Sequence, residues 1–440
     1  MTIRKEYMNY EETLSYLYNL ERFGIKLDLS NITSLTNHLR NPHQKFPCIH
    51  IAGSNGKGSV AAMIQSILSA SGYRTGLYTS PHLVDYRERI RIGDELIDKN
   101  FILDFVDDLK HEITKNGYTF FEVTTALAFS YFADNKVDIA VLETGMGGRL
   151  DATNIVNPLI SIIASISLEH TNHLGKTLPQ IAFEKAGIVK NKVPTITLIE
   201  NKEVFQVIKD VCAQRKSPLF VSLNNSTEKS IQYKPLVRGN VRIHQLVVDR
   251  AIFDFGEYKG LELNLGGRHQ ITNACLAIST VARLKEIGWK LDNKAVRDGL
   301  NHVNWRGRLE IFERNPLTLL DVAHNPAGTK ALVDALDEFF PKKKMIFIFG
   351  VMADKDYPSM LKEICRKAKF IVLTKPGYKR AADPESLEKV VRKESKPYKI
   401  IPDVKQAYIF ALKNAESNEV ICITGSHFTV GEFLSEEVRS

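Results

Sequence analysis

The chain predicts an α/β protein of two domains: a larger N-terminal one on a mostly parallel sheet and a smaller C-terminal one on a second sheet wrapped by helices. Three observations carry this expectation. Apolar runs of strand length alternate with stretches of helical periodicity along most of the sequence, the pattern of parallel strands joined by crossover helices. One early run leads into a glycine-rich loop and then a helix, Gly53-Ser54-Asn55-Gly56-Lys57-Gly58-Ser59. At 440 residues the chain also exceeds the size at which a single core stops growing, roughly 250 residues.

The elements follow in order. The opening residues move straight into a charged amphipathic helix without an apolar core or cleavage site, so no secretory leader is expected. Cys48 to Ala52 reads as a strand, Gly58 to Ser71 as the helix after the glycine loop, and Gly76 to Thr79 as a second strand. Helices are expected over Asn100 to Lys115 and Glu122 to Ala133, then a buried strand over Asp138 to Glu143. Leu159 to Ile166 is strand, Leu178 to Val189 helix, and Val193 to Leu198 strand. Between Gln232 and Leu265 short alternating segments with turn residues suggest antiparallel hairpins, and His269 to Ile287 returns to helix.

A joint at 301–309 separates domain 1–300 from domain 310–440, where Leu317 to Val322, Met345 to Phe349, Phe370 to Thr374 and Val420 to Thr424 form a Rossmann-like strand series.

Composition narrows the function classes. The net charge of +8 is spread along the chain, and the clusters at Lys342 to Lys344 and Lys389 to Lys396 read as solvated faces, so a nucleic-acid partner is not expected. The balance favours anionic small molecules. No apolar run reaches the roughly 20 residues a bilayer demands. Five scattered cysteines have no metal-ligand spacing and suit a reducing cytoplasm. A monomer is the default.

The glycine loop is the main chemical signal. Its glycines let successive amides point at phosphate oxygens at the positive end of the following helix; Lys57 can neutralise the outer phosphates and Ser59 can add a hydroxyl. This is a P-loop-type site whose spacing differs from that of common GTPases and motor ATPases, because Gly58 intervenes between Lys57 and Ser59. Glu143 ends a buried run, Ile139-Ala140-Val141-Leu142, and Ser80 lies at another strand end, so both can converge beside the loop as oxygen ligands. The competing reading of Glu143 is an exposed or capping carboxylate.

These segments taken together resemble the folylpolyglutamate synthase/dihydrofolate synthase family of the Mur ligase superfamily. The likeness runs from Ile49–Val60 through Thr79-Ser80-Pro81-His82-Leu83, Phe120-Phe121-Glu122, Gly147 to Asn154, His170 and Glu184-Lys185-Ala186-Gly187-Ile188. It continues in His269-Gln270 with Asn273, Gly307-Arg308, Asp321 to Pro326 and Gly425-Ser426. Departures are Ser54 for threonine, Thr144 and Met146 for apolar residues, Glu169 for aspartate and His427 for an apolar residue.

The resemblance implies an ATP- and magnesium-dependent ligase that adds L-glutamate to dihydropteroate or a folyl(poly)glutamate through an acyl phosphate. It implies ATP contacts from Asn55, Gly56, Lys57, Gly58, Ser59, Asn273, Arg308 and Asp321, and a site for two magnesium ions built from Ser80, Glu143, His170 and Lys185. Lys57, Glu143, His170 and Lys185 become the catalytic set, with Lys185 able to carry a carbamate. Phe121 with Leu150, Asp151 and Ala152 is implied to take the pteridine, by stacking and by hydrogen bonds to Asp151. His324 and Ser426 are implied for the incoming glutamate, although both equally suit helix capping.

Two alternatives stay open. A Mur-type peptidoglycan-precursor ligase is disfavoured by the Leu-Asp-Ala-Thr-Asn stretch and the lack of an extra N-terminal nucleotide-sugar domain. A nucleotide-switched binding protein without ligase activity is the other.

Overall fold

The computed structural model describes residues 8–24, 26–224, 236–237, 240–416 and 418–438. They form two compact units that are not contiguous in sequence. One takes the chain up to Ile166, Leu178–Leu236 and Leu276–Gly299; the other takes Ser167–Thr177, Val237–Cys275 and Leu300–Ser440. The joint expected at 301–309 falls beside the last crossing, between Gly299 and Leu300. The earlier crossings leave no mark in composition, since each inserted segment is as mixed in character as its neighbours.

The first unit is built on eight strands: β1 (Cys48–Ala52), β2 (Thr75–Tyr78), β3 (Ile90–Ile92), β4 (Glu95–Leu96), β5 (Ile139–Glu143), β6 (Ile160–Ile163), β7 (Thr195–Ile199) and β8 (Leu219–Asn224). They lie in the order β4-β3-β2-β5-β1-β6-β7-β8. From β2 to β8 the pairings are parallel, while β3 and β4 extend one edge antiparallel. The central strands are buried along their whole length, as expected of parallel strands covered on both faces by helices. The chain passes from β1 beyond β5 to β2, and later from β5 beyond β1 to β6. The winding thus reverses around β1, and the carboxyl ends of β5, β1 and β6 border the crevice that such a reversal opens.

Local chemistry explains the element ends. The helix Phe120–Asp134 starts two residues before the expected position because Thr119 and Glu122 cap each other: Glu122 N–H donates to Thr119 Oγ1, and Thr119 N–H to Glu122 Oε2. Strand β6 stops at Ile163, short of the expected Ile166, because the Ser165 carbonyl turns to accept the Ser54 amide at 2.7 Å and the Asn55 amide at 3.4 Å. The helix Lys57–Ala70 buries Val60, Ala61, Met63, Ile64, Ile67 and Leu68, so it has little polar surface and sits inside the unit rather than on it.

The second unit holds a three-stranded antiparallel sheet, β9 (Val241–Val247), β10 (Arg250–Phe255) and β11 (Tyr258–Leu263). These are the expected hairpins, although sequence reading placed them in domain 1–300; residues 232–235 and 238–239 of that stretch lie outside the described residues. The larger sheet comprises β12 (Glu310–Arg314), β13 (Leu317–Leu320), β14 (Met345–Phe349), β15 (Ala368–Leu373), β16 (Tyr398–Ile400) and β17 (Val420–Thr424), ordered β12-β13-β17-β14-β15-β16. All its pairings are parallel except β12 on β13. Asp321 follows β13 and Ser426 follows the adjacent β17, and the Asp321 amide donates to the Ile423 carbonyl at 3.1 Å.

Candidate active site

The glycine loop leaves β1 at the reversal point. Gly56 adopts φ +84° as the N-cap of the helix Lys57–Ala70, a left-handed turn that a side chain would strain. This turn aims the first helical amides into the crevice, where the helix dipole favours an anion. Lys57 Nζ donates to the Ser54 carbonyl at 3.4 Å and stands 4.0 Å from Glu143 Oε1. The other Glu143 oxygen accepts the Ser80 amide at 3.2 Å. Adjacent strands β2 and β5 therefore bring Ser80 and Glu143 together, and the carboxylate is buried beside a cation rather than exposed. The nearby cation and the amide donor offset part of the cost of burying this carboxylate. The long 4.0 Å contact leaves Lys57 free to turn toward a phosphate.

Lys185 is almost wholly buried, at 1% exposure, and its Nζ donates to the Gly53 carbonyl at 2.7 Å. The helix Leu178–Ala186 is held there by the 147–154 loop. Arg149 N–H donates to the Glu184 carbonyl at 2.8 Å, the Arg149 guanidinium pairs with the Glu184 carboxylate at 2.9 Å, and Asn154 Nδ2 donates to the Gly187 carbonyl at 3.1 Å. Glu184 and Arg149 thus join two motifs that lie more than 30 positions apart, and sequence reading assigned neither a role.

The two neighbouring phenylalanines have different tasks. Phe120 is core, with Tyr18 at 5.7 Å, Tyr86 at 6.1 Å and the Arg89 guanidinium 5.1 Å over its ring. Phe121 is half-buried and lies against Gly145, where a Cβ would fall 2.5 Å from its Cζ; only glycine permits this approach. Leu150 is half-buried and Ala152 buried.

Asp151 departs from expectation. Its Oδ1 accepts the Thr153 amide at 3.0 Å and the Thr153 hydroxyl at 2.6 Å, and its Oδ2 accepts the Met146 amide at 2.8 Å. Burial raises its pKa, and these donors oppose the rise. A carboxylate has about four acceptor positions, so Asp151 is chiefly the hub of its own loop, with little capacity left for a ligand.

In the second unit, Asp321 is buried and accepts the Leu309 amide at 3.0 Å and the Ala323 amide at 2.9 Å. Burial raises its pKa, opposed first by the nearby Arg308 charge. Burial also lowers His269 and His324 to about 4, with Arg308 adding to both shifts and Lys355 to that of His324. His324 Nδ1 lies 3.0 Å from the Val322 carbonyl, and its ring centre is 5.2 Å from that of His427. Asn273 is buried and donates to Gln270 Oε1 at 3.0 Å. Ser426 takes the capping role: its Oγ accepts the Thr429 amide at 3.0 Å and it is buried. His170 also belongs to this unit, at φ +46° ahead of the turn Thr171–Leu174.

Comparison with known proteins identifies the family. Residues 51–281 match the Mur ligase middle domain, and residues 307–427 match the Mur ligase glutamate ligase domain. The chain is 33% identical over 433 residues to the dihydrofolate synthase/folylpolyglutamate synthase of Bacillus subtilis, covering 96% of this chain and 98% of that one. Among solved structures, Mycobacterium tuberculosis folylpolyglutamate synthase complexed with ADP and AMPPCP has a TM-score of 0.86 and 30% identity, over 98% of this chain and 100% of that one. Escherichia coli FolC in complex with DHPP and ADP has a TM-score of 0.83 and 27% identity, over 97% and 98%. The chain belongs to the dihydrofolate synthase/folylpolyglutamate synthase family.

For this synthase-family chain, the expected site residues divide between the units. Asn55, Gly56, Lys57, Gly58, Ser59, Ser80, Glu143 and Lys185 lie in the first unit, as do Phe121, Leu150, Asp151 and Ala152; His170, Asn273, Arg308, Asp321, His324 and Ser426 lie in the second. Among the described residues no group of three or more His, Cys, Asp or Glu side chains converges on a metal position. The first unit instead offers a carboxylate and a serine beside a phosphate loop, a hard oxygen set suited to an ion that keeps waters and phosphate oxygens in its shell.

Proposed function

We infer that this chain is an ATP-dependent amide ligase that joins L-glutamate to the carboxylate of a folate-type acid, either dihydropteroate or an already glutamylated folate. The observation that carries this reading is the arrangement around one loop: Lys185 on the Gly53 carbonyl, Lys57 on the Ser54 carbonyl, and the Glu143–Ser80 pair at the neighbouring strand ends. Joining a carboxylate to an amine in water needs activation. The acid's carboxylate oxygen attacks the γ-phosphorus and ADP departs, leaving an acyl phosphate; the deprotonated amine of glutamate then attacks the acyl carbon and phosphate departs.

The first step brings two anions together, so the chain's main contribution is preorganised positive charge. Loop amides and Lys57 hold the phosphates and counter the charge that develops during transfer. Magnesium suits Glu143 and Ser80, with His170 and Lys185 completing the set that the resemblance implies; when bound it neutralises phosphate charge. Lys185 is assigned a carbamate, formed when its neutral amine adds carbon dioxide. Arg308, Asp321 and Asn273 are assigned to ATP, His324 to the incoming glutamate, and Phe121 with Leu150 and Ala152 to the pteridine, Asp151 holding the loop that carries them.

The reading includes a cytoplasmic monomer. Its five cysteines are buried free thiols, and no helix among the described residues is long and apolar enough to cross a membrane. The deciding experiment is phosphate release from ATP. Release that requires both glutamate and a pteridine acid supports the reading; release without either would indicate a nucleotide switch, and release driven by a nucleotide-sugar acid would indicate a peptidoglycan-type ligase.

A further inference from the structure

We propose that His50 and Thr153 are positioning residues for the pteridine-bearing acid, acting through a buried chain of directed hydrogen bonds that ends on the backbone beside Phe121. The proposal rests on the reading that Phe121 and its neighbouring loop receive the pteridine.

The chain begins on β1, three residues before the phosphate loop. His50 Nε2 lies 2.7 Å from Thr153 Oγ1, and Thr153 Oγ1 lies 2.6 Å from Asp151 Oδ1. His50 and Thr153 have no exposed surface. The other Asp151 oxygen accepts the Met146 amide, and the preceding residue, Gly145, is the one against which the Phe121 ring lies. A line of contacts therefore runs from the central strand to the aromatic face.

Proton counting fixes its direction. The Thr153 hydroxyl has one proton, and the carboxylate can only accept, so that proton points at Asp151. His50 must then donate from Nε2 to the Thr153 oxygen. This leaves Nδ1 bare, and Nδ1 has no hydrogen-bond partner. A second proton there would be buried unpaired, consistent with burial, aided by the Lys190 charge, lowering His50 to about 3. Every donor in the chain thus points one way, toward an ionised Asp151, which keeps the Met146 amide and the adjoining Gly145 in place.

Capping alone would also use Asp151, since its side chain accepts the Thr153 amide at the start of the turn Ala152–Ile155. That role makes Thr153 a matter of stability and leaves substrate affinity untouched. The positioning role instead predicts a selective loss. Thr153→Val and His50→Phe, assayed below their melting midpoints, raise KM for the pteridine acid by roughly 10-fold, the equivalent of one lost hydrogen bond, with KM for ATP unchanged. Thr153→Ser restores KM.

Thr153→Val also gives a pH dependence. With one donor fewer, Asp151 takes a proton more readily; a carboxylic acid makes a poorer partner for the Met146 amide, so KM rises as pH falls over a range where the parent is flat. The titratable group that interacts with this carboxylate is Tyr78 on β2; His50 on β1 reaches it through Thr153, and the Lys190 charge acts on His50.

Phe121→Ala separates the pteridine site from the positioning role of His50 and Thr153. An unchanged pteridine KM in that variant overturns the site reading. A raised KM there with no change in Thr153→Val or His50→Phe overturns the positioning role alone. Nitrogen NMR of the parent protein tests the chain without any variant: a neutral His50 ring protonated at Nε2 is expected, and a ring protonated at Nδ1 overturns the proposal.

Discussion

Lys185 Nζ donates to the carbonyl oxygen of Gly53 across 2.7 Å, although 132 positions separate the two residues. The contact places a buried amine on the first residue of the phosphate loop. Lys185→Ala is expected to lower kcat by about 10²–10³-fold, the usual loss when one preorganised electrostatic group is removed from a reacting phosphoryl or acyl group. If a carbamate is the working form, small carboxylates restore part of that activity and the parent protein shows the added mass. Failure of both observations removes the carbamate assignment.

Glu143 faces both Ser80 and Lys57. Glu143→Gln keeps the shape and removes the charge. Turnover should fall by at least about 100-fold, and the magnesium concentration giving half-maximal activity should rise. Titrating magnesium in steady-state assays of the parent and the variant checks this, and an unaltered magnesium requirement excludes the residue as a ligand.

The adjacent phenylalanines should separate stability from binding. Phe120→Ala empties a packed aromatic cluster and should cost about 3–5 kcal/mol of unfolding free energy. Phe121→Ala should cost far less stability and raise KM for the pteridine acid by roughly 10-fold, within the range of a lost aromatic stack. Denaturant unfolding and steady-state kinetics on both variants show whether the division holds.

Acid should destabilise the protein through its neutral buried histidines. Burial lowers His50 and His82 to about 3 and His269 and His324 to about 4, from an ordinary 6.5. At His82 the geometry agrees, because Arg89 Nε–H donates to its Nδ1 at 2.8 Å. The folded values lie below the unfolded one, so the unfolded chain binds more protons in between. Stability is full above about pH 6.5 and falls as pH drops toward the folded values, by up to about 1.4 kcal/mol per pH unit for each histidine. Unfolding midpoints measured from pH 7.5 down to 4.5 should follow that slope, and a flat profile would contradict it.

Ser426→Ala should lower stability by about 1 kcal/mol, the cost of losing a helix N-cap. KM for glutamate serves as the control. A large rise in that KM without loss of stability would return Ser426 to the ligand set.

Legibility in the sequence followed the range of the interactions. The strand Cys48–Ala52, the glycine turn and its helix are set by neighbours within a few positions, so apolar runs and glycine spacing were enough to locate them. Ser80 and Glu143 were candidates because each ends an apolar run, and their approach required β2 to pair with β5. The resemblance supplied Asp151 as a pteridine ligand, but not the three donors that occupy it. The His50–Thr153 link had no local signal at all, since a histidine inside an apolar run looks the same whether or not a threonine 103 positions away meets it.

By itself the sequence determined the α/β class, the phosphate loop and the family to which its ordered motifs belong, because alternating periodicity, turn residues and caps act over one or two helical turns. Tertiary structure decided the strand order around β1, the two units that exchange segments, and the burial of Lys185 against Gly53. Those outcomes depend on which distant surfaces exclude water together, and no stretch of neighbouring residues records that choice.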